Sequence, residues 1–287
     1  MRISAWAKIN WTLDITGVRG DGYHDIDTLM QRISLCDDID IAPCGDLRLT
    51  ITGRIGGVPD DDSNLVLKAA TCLQSARGVM AGAHVTLTKR IPSMAGLGGG
   101  SADAAATLLG LNAFWNAGAS QDELLRMAVQ LGADVPFCMG FAGSPARARG
   151  IGEDLEAQKP AAPCWLVIVK PEGGLSTRAV FAAYDARPVP PMPVGASAAE
   201  WLARGDWQSL SVRTHNALMS AACRLLPDIP RAMRALADAG AVMARMSGSG
   251  SAVYGVFREE ATAQSAAEAL APHWPFVCIA NNHTFLL

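Results

Sequence analysis

Four of the five residues from Gly96 to Gly100 are glycine, and an alanine-rich stretch, Ser101-Ala102-Asp103-Ala104-Ala105-Ala106, follows at once. Glycine permits positive φ and lets another group come close to the main chain. The alanines predict a helix, with Ser101 placed to cap it. A glycine loop feeding a helix N-terminus presents unpaired N–H groups and the positive end of a dipole, which suits a phosphate. A tight turn with no ligand is the alternative, but so much glycine is costly in entropy to order. Two further residues have the chemistry to act on a phosphoryl group. Asp134 lies in Gly132-Ala133-Asp134-Val135-Pro136, among small and apolar residues just past a predicted helix. It is either a helix-terminal carboxylate or a general base, and if isolated from water it needs a partner. Lys8 stands between Ala7 and Ile9 in an apolar strand, with Asn10 two residues on and therefore on the same face. On the residues alone, Lys8 reads as a side chain that snorkels to the surface.

Two common phosphate loops do not fit. A Walker A loop needs Gly-Lys-Ser/Thr at its end; counted from Gly96, the sixth position is Ser101 and no lysine follows. A dinucleotide fingerprint needs a third glycine or alanine at that same place. It also needs an acid about twenty residues on, where Trp115, Asn116 and Ala117 offer none. A dinucleotide-dependent oxidoreductase is disfavoured on both counts.

The whole chain sets the limits. With 287 residues, half of them hydrophobic and 18% charged, it can bury a large core in one domain or two. A net charge of −3 gives no sign of general affinity for nucleic acid or anionic membrane. The seven cysteines are scattered with no C-x-x-C, which reads as reduced thiols packed as small hydrophobes. No cluster has zinc-ligand spacing. The N-terminus lacks the long apolar run of a signal peptide, and the longest apolar runs are too short to span a bilayer. A cytoplasmic protein is expected.

The elements that must position these residues follow from periodicity and turn chemistry. Strands are predicted over 3–16, 28–35, 39–41, 47–52 and 84–88, with a turn at Gly17 to Gly22. Helices are predicted from Asn64 to about Arg77 and over 121–131. The helix after the glycine loop is expected to bury Ala102, Ala105, Ala106, Leu109 and Ala113 on one face. Pro160 to Pro163 marks a boundary, Trp165 to Val169 a buried strand, and Pro188 to Pro193 a loop. Helices are expected around 197–204, 215–225 and 229–239, then strands at 242–246 and 252–257 flanking Ser247-Gly248-Ser249-Gly250-Ser251. This irregular mixture favours α+β.

The loop Pro92-Ser93-Met94-Ala95-Gly96-Leu97-Gly98-Gly99-Gly100-Ser101-Ala102 resembles the glycine-rich motif of the GHMP kinase superfamily: a proline, a short variable stretch, Gly-Leu-Gly and a serine-rich helix start. Ala7-Lys8-Ile9-Asn10, Gly17 to His24, Leu131 to Phe137 and Met246 to Ser251 occur in the family's order, so the resemblance spans residues 5 to 257. Asp21-Gly22-Tyr23-His24 resembles the branch whose acceptor is a cytidine diphosphate sugar alcohol; homoserine and mevalonate kinases lack it.

The resemblance implies a two-domain α+β GHMP kinase fold. Residues 1–159 would form an ATP-binding domain of the ribosomal protein S5 domain 2-like type, with a left-handed β-α-β unit, and 160–287 a ferredoxin-like domain. It implies transfer of the γ-phosphoryl of ATP, accompanied by Mg2+, to the 2-hydroxyl of the acceptor. The setting is non-mevalonate isoprenoid precursor synthesis, by a monomer or homodimer. Asp134 becomes the base and Lys8 its cationic partner, with Asn10 orienting substrate. Residues 92–102 bind ATP, with Gly96 to Ser101 wrapping its phosphates, and Asn64 and Lys89 lie near the adenosine. Tyr23, His24, Thr177 and Phe181 serve the cytidine. Asp103 is expected to be a first-turn helix acid. Ser93-Met94-Ala95 and Ser101-Ala102 depart from the family's frequent glycine and Ser-Ser, which bears on loop geometry and removes one hydroxyl. Another small-molecule kinase of the superfamily, or a nucleotide-binding protein without turnover, are the competing readings.

Overall fold

The computed structural model describes residues 1–53, 56–140, 143–192 and 194–283. The first part of the chain runs β1 (Arg2–Val18), β2 (His24–Cys44), β3 (Leu47–Gly53), α1 (Leu65–Arg77), β4 (Gly82–Lys89), α2 (Gly99–Phe114), α3 (Gln121–Leu131), α4 (Val135–Met139), β5 (Ala146–Arg149) and β6 (Asp154–Ala157). Its sheet has the order β3-β4-β2-β5-β6, with β1 paired antiparallel along the other edge of β2. The β3–β4 pair is parallel and is joined through α1.

β1 is buried from Ala7 to Ile15, so both of its faces are covered. Alternation sends Ala7, Ile9 and Trp11 into one apolar cluster with the second sheet. Lys8 and Asn10 fall on the opposite face, toward the glycine loop. One strand thus serves as core on one side and as a polar wall on the other.

Where two strands were expected over 28–41, the structure has one strand of 21 residues. Asp37 and Asp38 look like a break in the sequence, yet Asp37 is fully buried on the salt bridge it makes with Lys89. A second correction concerns α2. Its N-cap is Gly98, at φ 69°, and Ser101 lies inside the helix rather than capping it. Only glycine adopts that φ freely. The expected apolar face holds in part: Ala102, Ala105 and Ala106 are buried, but Leu109 and Ala113 are exposed, and the buried set of nine residues wraps most of the helix between α1, α3, α4 and the sheet.

The second part comprises β7 (Trp165–Lys170), α5 (Thr177–Asp185), α6 (Gly195–Arg204), α7 (Trp207–Arg213), α8 (Met219–Leu225), α9 (Asp228–Asp238), β8 (Met243–Met246), β9 (Val253–Phe257), α10 (Glu260–Leu270) and β10 (Phe276–Asn281). The sheet order is β10-β7-β9-β8, with every pair antiparallel. In chain order this is a β-α-β-β-α-β unit with its first and third strands central, the ferredoxin-like arrangement. The single helix expected over 215–225 is interrupted, because Thr214 is extended and residues 215–217 join β1 through Leu13 N–H to His215 O (3.1 Å) and Ala217 N–H to Leu13 O (2.8 Å). No described helix is long and apolar enough to cross a membrane.

Candidate active site

The glycine loop closes against β1 and against the β8–β9 hairpin. Pro92, Ala95, Leu97 and Ala102 are buried and anchor it; Ser93, Gly96, Gly98, Gly99 and Ser101 are half-buried, and Met94 and Gly100 are exposed. Lys8 N–H donates to Leu97 O (2.9 Å), Ala252 N–H to Ala95 O (3.0 Å), and the Ser247 hydroxyl to Gly96 O (2.8 Å). The two small-residue loops are therefore bonded to each other. A Cβ on Gly96 would run into the Ser247 carbonyl oxygen, and one on Gly98 would stand 2.9 Å from Cγ of Lys8. Helical bonding in α2 begins with Ala102 N–H to Gly98 O (2.8 Å). The amides of Gly99, Gly100 and Ser101 ahead of it have no intrahelical acceptor, an arrangement suited to an anion.

Lys8 does not snorkel outward. Its side chain is 5% exposed, and Nζ stands 3.1 Å from Oδ2 of Asp134, whose side chain is 35% exposed. Asp134 is the N-cap position of α4 but makes no capping bond, so its carboxylate remains available. Lys8 Nζ also donates to Asn10 Oδ1 (2.8 Å), and Asn10 Nδ2 donates to the Thr28 hydroxyl (2.7 Å). The ammonium is thus fixed at two points. One oxygen-bearing partner is neutral and buried, and the other is charged and open.

Lys89 and Asn64 both have partners within the protein. Lys89 is 3% exposed and its ammonium is shared by Asp37 and Asp103, the latter at 2.7 Å. Gly99 packs over it: a Cβ there would lie 3.4 Å from Nζ. Burial alone would lower the Lys89 pKa, but the charges of Asp103 and Asp37 outweigh it and the net shift is upward. Burial, with Asp37 nearby, pushes the Asp103 carboxyl well above the usual carboxylate range despite Lys89. Its Oδ1 has no partner among the described residues. Asp103 is thus a buried member of a triad under the loop, past the first turn of α2 in which it was expected. Asn64 is spent as the N-cap of α1, accepting from Val66 N–H (2.8 Å) and donating to Pro59 O (2.6 Å).

At the other end of β1, His24 packs on Phe181 with ring centroids 4.7 Å apart, and its Nε2 is 2.7 Å from Oδ1 of Asp185. The Thr177 hydroxyl is 3.0 Å from that of Ser249, tying α5 to the hairpin loop. Tyr23 is 61% exposed on the turn before β2. Thr28, Asp37 and Asp185 escaped the sequence reading. So did Arg32, a charge inside the apolar run Leu29-Met30-Gln31-Arg32-Ile33, which was the signal available for it.

Comparison with known proteins gives the family. The GHMP kinases N-terminal domain model matches residues 64–140, and the GHMP kinases C-terminal model matches 198–275. The 4-diphosphocytidyl-2-C-methyl-D-erythritol kinase of Pelotomaculum thermopropionicum is 42% identical over 265 residues, 92% of this chain and 91% of its own. That of Moorella thermoacetica is 42% identical over 279 residues, 96% of each chain. A crystal structure of a 4-(cytidine 5'-diphospho)-2C-methyl-D-erythritol kinase superposes with a TM-score of 0.82 at 36% identity, covering 98% of both chains. The chain belongs to the GHMP kinases and, among them, to the 4-diphosphocytidyl-2-C-methyl-D-erythritol kinase family.

Proposed function

We propose that this chain transfers the γ-phosphoryl group of ATP to the 2-hydroxyl of 4-diphosphocytidyl-2-C-methyl-D-erythritol, in the non-mevalonate route to isoprenoid precursors. The observation that carries the reading is the Lys8–Asp134 pair, 3.1 Å apart beside the open amides of a glycine loop. Phosphoryl transfer asks for alignment, charge stabilisation and a base for the attacking hydroxyl. The acceptor oxygen attacks the γ-phosphorus while the bond to the β–γ bridging oxygen breaks, and ADP departs with that electron pair. Asp134 takes the hydroxyl proton. Lys8 stabilises negative charge developing on the acceptor oxygen. The amides from Gly96 to Ser101 hold the phosphates. Magnesium enters with the nucleotide, and the Ser101 hydroxyl and Asp134 carboxylate are oxygen donors of the kind it takes beside phosphate and water.

His24 and Phe181, with Tyr23, form the wall for the cytosine, where ring faces stack and the imidazole meets the polar edge of the base. Homoserine and mevalonate carry no base to fill such a wall. Lys89 supports the loop from beneath Gly99, and Asn64 fixes the start of α1. The test is ADP release from ATP and Mg2+ with a panel of acceptors. Turnover is expected with the cytidylated sugar alcohol; turnover with homoserine or mevalonate and none with it would overturn the reading. In Asp134→Asn, turnover is expected to fall by about a thousandfold or more while ATP affinity stays within about threefold, since base catalysis and its electrostatics are lost together.

A further inference from the structure

The mechanism leaves one buried charge unexplained. Arg32 lies on β2 directly across from Lys8 of β1 and is 9% exposed. Residues opposite one another in an antiparallel pair share a face, and like charges so placed repel. Lys8 has Asp134 as its counter-charge. Arg32 has none among the described residues. Its Nη2 donates to the carbonyl of Cys138, and its buried Nε has no partner among the described residues. Burial lowers its pKa. A cation held this way is expensive, and an apolar side chain of similar length would pack there at lower cost. The acceptor it does hold is informative. Cys138 is in the last turn of α4, a helix of five residues, and Cys138 N–H donates to the carbonyl of Asp134 (3.2 Å). Arg32 therefore grips the far end of the single helical turn that begins at Asp134. Carbonyls at a helix C-terminus are otherwise unsatisfied, and a cation there opposes the dipole favourably.

We infer that Arg32 is a positioning residue for Asp134: by holding the Cys138 carbonyl it sets the pitch of α4 and keeps the carboxylate in register with Lys8. This rests on the role given to Asp134 above. It makes Arg32 part of the machinery without contact to either substrate.

The test is a double-mutant cycle between Arg32→Met and Asp134→Asn in the full-length protein. Single-turnover ADP formation at high enzyme concentration keeps slow rates measurable. Misplacing a reacting group by about an ångström costs about a hundredfold in rate. Arg32→Met alone is expected to lower the rate between tenfold and a hundredfold, with KM for ATP within about twofold. In the Asp134→Asn background, the same substitution is expected to cost less than threefold, because there is no carboxylate left to misplace. A purely structural role gives the same loss in both backgrounds, and that equality overturns the inference. So does Arg32→Met turning over within twofold of the parent. If Asp134→Asn itself keeps the parent rate, the reading of Asp134 fails, which is a different result. Should Arg32→Met not fold, Arg32→Lys enters the same cycle, with the same two outcomes deciding.

Discussion

Gly98→Ala separates the stability of the glycine loop from its effect on the acid–ammonium pair. Gly98 has φ 69°, and an added Cβ would stand 2.9 Å from Cγ and 3.1 Å from Cε of Lys8. Left-handed backbone costs an L-residue about 1–2 kcal/mol. In a chain of this size each kcal/mol lowers Tm by about 2–4 °C. The steric effect is distinct. Ordinary carbon contacts begin near 3.4 Å, so the Lys8 stem must retreat by about half an ångström. It has little freedom to do so, because its backbone N–H is bonded to Leu97 O and its Nζ to Asn10 and Asp134. Taking about a hundredfold per ångström, kcat should fall about tenfold. The assays are ADP release at saturating substrates and calorimetric melting. Gly45→Ala is the control, since its Cβ would meet nothing within 4 Å. A Gly98→Ala protein that melts lower but keeps the parental kcat would refute the coupling between this glycine and Lys8.

Further outcomes can be measured alongside. Because the folded-state pKa of Asp103 is raised, the folded state holds its proton more tightly than the unfolded chain. Its contribution to stability therefore falls as pH rises through and above the ordinary carboxylate pKa of about 3.9. Asp103→Asn should flatten that slope in denaturant titrations at successive pH values; an unchanged slope would exclude Asp103 as its source. Lys89 shifts upward, so its stabilisation is fully present below its unfolded pKa of about 10.4 and is lost only at higher pH. Phe181→Ala should raise KM for the cytidylated acceptor about tenfold, as expected for a lost stacking face, with kcat within about twofold. Asn216 donates to the carbonyls of Met246 (3.1 Å) and Gly248 (2.7 Å). Asn216→Ala strands both, at about 1–3 kcal/mol for each buried group left unpaired, and should be visible as a lower Tm.

What could be read in advance was local and periodic. Asn64 announces α1, and periodicity gives α3 over 121–131, which the structure starts with a Ser120–Glu123 capping box. The Gly-rich stretch marks its own loop because few other residues tolerate the positive φ at Gly96 and Gly98. The failures were tertiary. Asp37 looks like the end of a strand until Lys89, far along the chain, neutralises it in the interior. Residues 215–217 look helical until β1 claims their backbone bonds. Only the motif resemblance sets Lys89 near the adenosine, and its neighbours in the chain carry no sign of the two carboxylates that enclose it. Lys8 would have been misread in the same way; only the motif around it said otherwise, and its burial against Asp134 is a property of how β1, α2 and α4 meet.

The bonds that lace Ala95 and Gly96 to Ala252 and Ser247, together with the clasp of Leu13 on residues 215–217, have a bearing on how ligands come and go. Any wide parting of the two sheets would tear the glycine loop from the hairpin that holds it. Entry and exit must then rely on the rim, where Met94, Gly100 and Tyr23 already face solvent. For the same reason, the halves expressed as separate polypeptides should each lack a finished cradle, and mixing them should not restore turnover unless they first re-form this seam.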